Sequence, residues 1–279
     1  MARAMTPSNK AKTTTLGIAG PADFAAAFAV SRETIAHLIT YETLLRQWQT
    51  AVNLVATSTL DAIWQRHFAD SAQLLDLAPA ARTWVDLGSG AGFPGLVVAI
   101  MLADTAAAPA SGSGGGLAPG AVSGSPTASL AAHAAAGVAA RALAGGPAAA
   151  SGVSTAVTLV ESDTRKCAFL REVARRCGIA VDILSTRIES AATQSKLQPP
   201  DVVTARALAP LDKLLSLAAP LFSPCSIGLF LKGRDAGSEV EAARRIWTFD
   251  SELIPSRTER AARIVRISSF EPNRKEPRS

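Results

Sequence analysis

Apolar positions Ile35, Leu38, Ile39, Leu45, Trp48 and Val52 recur at helical spacing after Ser31, whose hydroxyl suits an N-cap, and they predict an amphipathic helix. A second stripe, Leu60, Ile63, Trp64, His67, Phe68 and Leu75, predicts another helix behind it. Only a short link around Pro79 follows, so residues 31–78 are expected to form a small helical cap docked on a larger domain. At Thr83 the pattern changes. Thr83, Trp84 and Val85 have strand-forming side chains, and the apolar run Leu96 to Ala103 follows them. Strands and helices then alternate: VTLVE (157–161), a helix over 164–177, VDILS (181–185), a short helix, DVVTA (201–205), a helix over 211–219, IGLFLK (227–232) and a helix over 238–247. Two strand candidates, 249–254 and 262–269, close the series. This order predicts a doubly wound α/β domain: a mostly parallel sheet covered on both faces, with the last two strands as an antiparallel edge hairpin.

Composition interrupts the scheme. From 104 to 155 the chain collapses into Ala, Gly, Ser and Pro, with too little bulky apolar surface to offset chain entropy, so a disordered low-complexity insertion is expected there. Only 129–143 is alanine-rich enough for a helix. The α/β domain thus spans 79–270 around the insertion. The opening MARAMTPSNKAKTTT is basic and lacks the apolar core of a secretory signal, so 1–30 reads as a disordered tail, and 271–279 as a basic one. No apolar run approaches the roughly 18 to 20 residues that cross a bilayer. Cys167, Cys177 and Cys225 show no CxxC spacing, which argues against a disulfide framework or a metal site and fits a reducing cytoplasm. A net charge of +5 leans towards an anionic partner without naming one.

Chemistry enters at WVDLGSGAGFPG (84–95), a strand, a glycine loop and a helix start in succession. Gly88, Gly90 and Gly92 let the backbone turn tightly and approach a nucleotide-type cofactor, and Pro94 suits a first helical turn. GAGFPG matches the dinucleotide pattern GxGxxG, yet Pro94 removes an amide that a pyrophosphate would need. DLGSGAG matches D-x-G-x-G-x-G, in which Asp86 orders the loop or receives a cationic group, a reading that suits S-adenosylmethionine. Glu161 ends the next strand, where a carboxylate can accept both ribose hydroxyls of an adenosine. Its distance from the loop exceeds the usual spacing of about 20 residues, and removing the insertion restores that spacing.

The segments WVDLGSGAGFPGLVVAI, VTLVESDTRKCAFLREVAR, TRIES and VVTARALAPL, preceded by NLVATS and RHFADS, together resemble the bacterial 16S rRNA guanine-N7 methyltransferases, also called the glucose-inhibited division protein B family. The likeness covers roughly residues 31–270 apart from the insertion. It implies a class I S-adenosylmethionine-dependent methyltransferase fold, and a guanine N7 in a decoding-region loop of 16S rRNA, free or in the small ribosomal subunit, as acceptor. By motif, Gly88 and Phe93 would line the cofactor site, Ile188 and Glu189 flank the adenine, and Arg206 meet cofactor or substrate. The bland readings of these residues are turn, core packing and surface charge.

Lys232, at the end of the fifth strand, is a candidate phosphate contact. So are Arg165 and Lys166, on a helix with Arg171, Arg175 and Arg176, and Arg274, Lys275 and Arg278 in the tail. His67 faces the apolar side of its helix and reads as a packed or hydrogen-bonded histidine, with Asp70 one turn on to steady it. Guanine N7 carries a lone pair and no proton, so alignment matters more than a general base, and none is expected. Two rivals stand beside this reading: a small-molecule methyltransferase, with a closed apolar acceptor pocket, and a noncatalytic RNA-binding assembly factor, which need not bind the cofactor.

Overall fold

A computed structural model describes residues 15–107 and 155–272. Its seven-stranded sheet comprises β1 (Thr83–Leu87), β2 (Ala156–Glu161), β3 (Asp182–Ser185), β4 (Val202–Arg206), β5 (Ile227–Lys232), β6 (Trp247–Pro255) and β7 (Arg263–Pro272), in the order β3-β2-β1-β4-β5-β7-β6. The first five strands are parallel, β7 runs antiparallel to β5, and β6 pairs antiparallel with β7 at the edge. The chain winds outward from β1 to β3, then resumes beside β1 with β4. That reversal opens a crevice at the carboxyl ends of β1 and β4. Strands β1 and β4 are buried nearly end to end, as near-continuous apolar runs in a doubly covered sheet should be.

Helix α1 spans Pro21–Phe28 and α2 spans Arg32–Gln49, the latter capped by Ser31, whose hydroxyl accepts from the Thr34 amide. After two short turns, α3 (Asp70–Ala72) and α4 (Leu74–Leu77), the crossovers are α5 (Gly95–Ala107), α6 (Thr164–Arg176), α7 (Ala191–Gln194), α8 (Leu211–Ala218) and α9 (Ala236–Ala243). Asp163 caps α6 by accepting from the Arg165 and Lys166 amides, while Arg175 and Arg176 in its last turn suit the negative end of the helix dipole. Gly95 opens α5 where side-chain space is absent: a Cβ would lie 2.3 Å from Leu159 Cδ2 and 2.9 Å from Asp86 Cβ.

The N-terminal segment departs from expectation. Residues 15–30 are folded, not a tail: Phe24 and Phe28 are buried, and the Leu16 amide donates to the Arg257 carbonyl. The second cap stripe is no regular helix but a 3-10 turn (Thr57–Thr59), then a π-helical turn (Trp64–Ala69) running into α3 and α4. The wide turn helps bury Trp64, His67 and Phe68 together, with Trp64 Nε1 donating to Glu42 at 2.7 Å. Phe24, Leu38, Tyr41 and Phe68 belong to the same buried cluster as Leu96, Leu159 and Phe169, so cap and sheet share one core.

Strand limits fall within a residue or two of the sequence pattern except in the final hairpin, which is longer. Helix α9 ends at Ala243, short of 247, because Trp247 opens β6 and packs on Phe270 at 4.7 Å. Helix α5 continues to Ala107, past the expected start of the insertion. The candidate helix over 129–143 lies outside the described residues, as do Arg274, Lys275 and Arg278. Among the described residues no helix is long and apolar enough to cross a membrane, and no group of His, Cys, Asp or Glu could hold a metal ion.

Candidate functional site

The β1–α5 loop turns through Gly88 (φ 65°), Gly90 (φ 56°) and Gly92 (φ 94°), left-handed conformations that only glycine adopts without strain. Beneath it, Asp86 is buried and accepts from the Gly95 amide at 3.2 Å and from Thr204 Oγ1 at 2.9 Å. Burial pushes its carboxyl up to about 6, against these hydrogen bonds. Asp86 therefore orders the loop and the start of α5. It does not itself line the cavity that the loop borders.

Glu161 closes the loop from β2. Its Oε2 accepts from the Gly90 amide and its Oε1 from the Asp163 amide, both at 2.8 Å. The carboxylate still borders the cavity and keeps lone pairs for further donors. Phe93 is buried, stacks on Tyr41 at 5.2 Å and on His67 at 4.8 Å, and carries the Arg206 guanidinium at 5.4 Å from its ring centre.

These groups bound a cavity of about 600 Å³ at the carboxyl edge of the sheet, within the range of small-molecule sites. Gly88, Gly90, Phe93, Glu161, Ile188, Glu189 and Arg206 all line it. Ile188 is buried, whereas Glu189 is exposed and pairs with Arg187 at 3.8 Å. At Gly88 a Cβ would come within 2.5 Å of Leu208 Cδ1, itself on the cavity wall, so no side chain fits there without moving that wall. The residues present fit a nucleoside-type cofactor: bare backbone, an apolar wall, and a carboxylate at the end of β2.

A second cavity, of about 500 Å³, adjoins the first, and Thr59, His67, Arg206, Ala207 and Leu208 line both. Arg206 sits in this common wall, donating to the Arg66 carbonyl at 3.2 Å and to His67 Nδ1, with Asp70 at 3.8 Å. Burial lowers the pKa of Arg206, and the charge of Asp70 opposes that. Burial also lowers His67 to about 3, assisted by the charges of Arg206 and Arg66. Asp70 does not reach His67. Its Oδ1 accepts from Thr258 Oγ1 at 2.7 Å and from Gln73 at 3.0 Å, tying the cap to the β6–β7 turn.

Two phosphate candidates are placed differently from expectation. The Lys232 ammonium is turned inward, donating to the Ala209 carbonyl at 2.6 Å and pairing with Glu239 at 2.7 Å. Arg165 is exposed beside Asp163 and lines neither cavity, while Lys166 lines the first. Arg175 is paired with Glu172 at 2.7 Å. Thr59 and Arg187, also on the cavity wall, carried no signal in the sequence reading beyond their neighbourhood to NLVATS and TRIES.

A sheet of this order, with a glycine loop after β1 and an acidic residue ending β2, defines a class I S-adenosylmethionine-dependent methyltransferase. The family model described as rRNA small subunit methyltransferase G matches residues 34–108 and 143–263. The chain belongs to that family. It is 46% identical to the "Ribosomal RNA small subunit methyltransferase G" of Methylobacterium nodulans, over 88% of this chain and 93% of the relative. The protein of that name from Rhodospirillum centenum is 44% identical, over 90% and 91%. That from Parvibaculum lavamentivorans is 41% identical, over 88% and 87%.

Proposed function

We propose that this chain methylates N7 of one guanine in a decoding-region loop of 16S rRNA, in the cytoplasm, on naked rRNA or within the small ribosomal subunit. The observation that carries the reading is the pair of adjoining cavities at the carboxyl edge of the sheet, in a chain whose relatives bear the name ribosomal RNA small subunit methyltransferase G. The second cavity is lined by Arg66, Asp70, Lys232, Glu239 and Arg263. Such a charged lining favours a nucleic acid acceptor over the closed apolar pocket of a small-molecule methyltransferase.

In this reading Gly88 and Gly90 bring bare backbone to the cofactor, Phe93 walls it, Glu161 receives the ribose hydroxyls, and Ile188 and Glu189 meet the face and edge of the adenine. Asp86 acts from below by holding the loop. S-adenosylmethionine, when bound, supplies a sulfonium methyl: the N7 lone pair forms the new N–C bond, the C–S electron pair leaves with sulfur, and no proton moves. The chain therefore needs no general base. Its contribution is alignment and a polar surround for the cationic base that forms. Lys166 and Arg187 at the first cavity, with Arg165 on the exposed face of α6, meet RNA phosphates.

The test is transfer of labelled methyl groups to small subunits and, separately, to naked 16S rRNA, with the modified nucleoside identified by mass spectrometry. Labelled 7-methylguanosine is expected. Cofactor binding with no transfer to either acceptor would leave the noncatalytic assembly factor as the reading.

A further inference from the structure

We propose that the second cavity seats the acceptor guanine and that Glu239 reads its Watson–Crick edge, an inference that rests on the guanine-N7 reading above. The two cavities meet at the turn that follows β4. Ala207 in this turn has φ 52°, a conformation costly for a residue with a Cβ and therefore one the surroundings must hold. The Lys232–Glu239 pair anchors the chain that follows it. Lys232 Nζ donates to the Ala209 carbonyl at 2.6 Å and to Glu239 Oε2 at 2.7 Å, and the same Oε2 accepts from the Leu211 amide at 2.7 Å. The pair thus fixes the second half of the turn, from Ala209 into the start of α8 at Leu211, beside the wall the two cavities share.

That arrangement uses one oxygen of Glu239. Its Oε1 has no partner among the described residues, although the side chain lines the second cavity and is only a quarter exposed. Of the other carboxylates of that cavity, Asp70 accepts at Oδ1 from Thr258 and Gln73 and has Arg206 at 3.8 Å from Oδ2, and Glu259 is paired with Arg66 at 2.9 Å. Guanine presents N7 and O6 on one edge and the N1–H and N2–H donors on another, so a base turned with N7 to the common wall offers its donors to the far side. A carboxylate oxygen accepts from those donors. Adenine has an acceptor at N1 and no 2-amino group, so the same oxygen rejects it. Enzymes acting on a base swung out of a strand read it in this way, by hydrogen bonds to the Watson–Crick edge.

The test pairs a substrate change with a protein change. Small subunits are assembled with 16S rRNA carrying inosine at the acceptor position, which keeps N7, O6 and N1–H and lacks only the 2-amino group. Unaltered enzyme is expected to lose about tenfold in kcat/KM on inosine. Glu239→Gln keeps an oxygen for Lys232 and Leu211 but presents an amide N–H₂ in place of Oε1. It is expected to lose at least about tenfold on guanosine rRNA, to bind S-adenosylmethionine within about twofold of the unaltered protein, and to treat inosine and guanosine alike. Equal rates of the unaltered enzyme on both RNAs, or a Glu239→Gln variant that discriminates as the unaltered enzyme does, would overturn the assignment. Normal 7-methylguanosine formation with no inosine penalty overturns this proposal alone. No 7-methylguanosine from guanosine rRNA overturns the guanine-N7 reading and this proposal with it.

Discussion

Arg206 donates to Nδ1 of His67. A guanidinium has no acceptor, so this one contact fixes the histidine tautomer: Nδ1 is bare and the proton sits on Nε2. Nε2 then donates to Thr59 Oγ1 at 2.8 Å, and Thr59 passes its own proton to the Ala56 carbonyl at 2.7 Å. Every bond in the chain points away from Arg206, which also rests on the Phe93 ring. The charge in the wall between the cavities is therefore a fixed one.

Arg206→Ala is expected to leave the fold intact and to cut methyl transfer by roughly ten- to a hundredfold, the worth of a charged hydrogen-bonding group. Lysine should not restore it, because one ammonium cannot reproduce the planar fork that meets the Arg66 carbonyl and His67 together. Initial rates with labelled cofactor, beside circular dichroism, check both variants. Unaltered turnover would remove Arg206 from the site.

His67 and Asp86 give stability opposite slopes with pH. His67 is depressed to about 3, so between its unfolded value near 6.5 and 3 the unfolded chain binds the extra proton, and stability falls as pH falls. Asp86 is raised to about 6, so from its unfolded value near 3.8 up to 6 the folded chain holds the extra proton, and stability falls as pH rises. From about pH 4 to 6 the two offset each other. Urea melts across that window should show Asp86→Asn losing stability on acidification and His67→Gln losing it on alkalinisation, relative to the parent, each with a slope of up to about 1.4 kcal/mol per pH unit. Parallel curves for all three proteins would refute the pairing.

Gly88→Asp should abolish cofactor binding. The new side chain must adopt φ 65°, start 2.5 Å from Leu208 and bring a carboxylate into the loop. Titration with S-adenosylmethionine checks this, and an unchanged Kd would sink the assignment of the first cavity.

Tyr41→Phe removes the hydroxyl that donates to the Ala91 carbonyl, a buried bond joining the cap to the glycine loop. The orphaned carbonyl is expected to cost about 1 to 3 kcal/mol in denaturant unfolding and to weaken cofactor binding, since Ala91 borders that cavity. Wild-type values for both would show the cap to be energetically separate from the site.

The alternating strands and helices were legible because each strand's apolar run is bounded by turn-forming sequence, and the glycine loop because its backbone demands glycine. Glu161 is picked out by spacing once the interruption is set aside, and the structure places it on the cavity wall beside Gly90. Lys232 and Asp86 are harder to place, since both lie at or next to strand ends and only their partners, Glu239 seven positions away across a turn and Thr204 118 positions away, decide which way their charge is used. His67 was rightly read as packed, yet its partner Arg206 lies 139 positions away and no local pattern announces it. A stripe counted at 3.6 residues per turn cannot foresee the π turn at Trp64–Ala69, and the basic start of the chain drew attention from Phe24 and Phe28, which anchor α1.

Helix α5 leaves the glycine loop and carries the chain back along the sheet for 13 residues, roughly 20 Å, to the edge where Ala156 pairs with Thr83. Whatever joins Ala107 to Thr155 is thus attached at the end of the sheet remote from both cavities, and the family match is interrupted at this same crossover. The two described residues that border positions 108–154 stand a helix length from the glycine loop, at the opposite ends of the strands from the reacting edge, so the crossover is anchored without using any residue of the site.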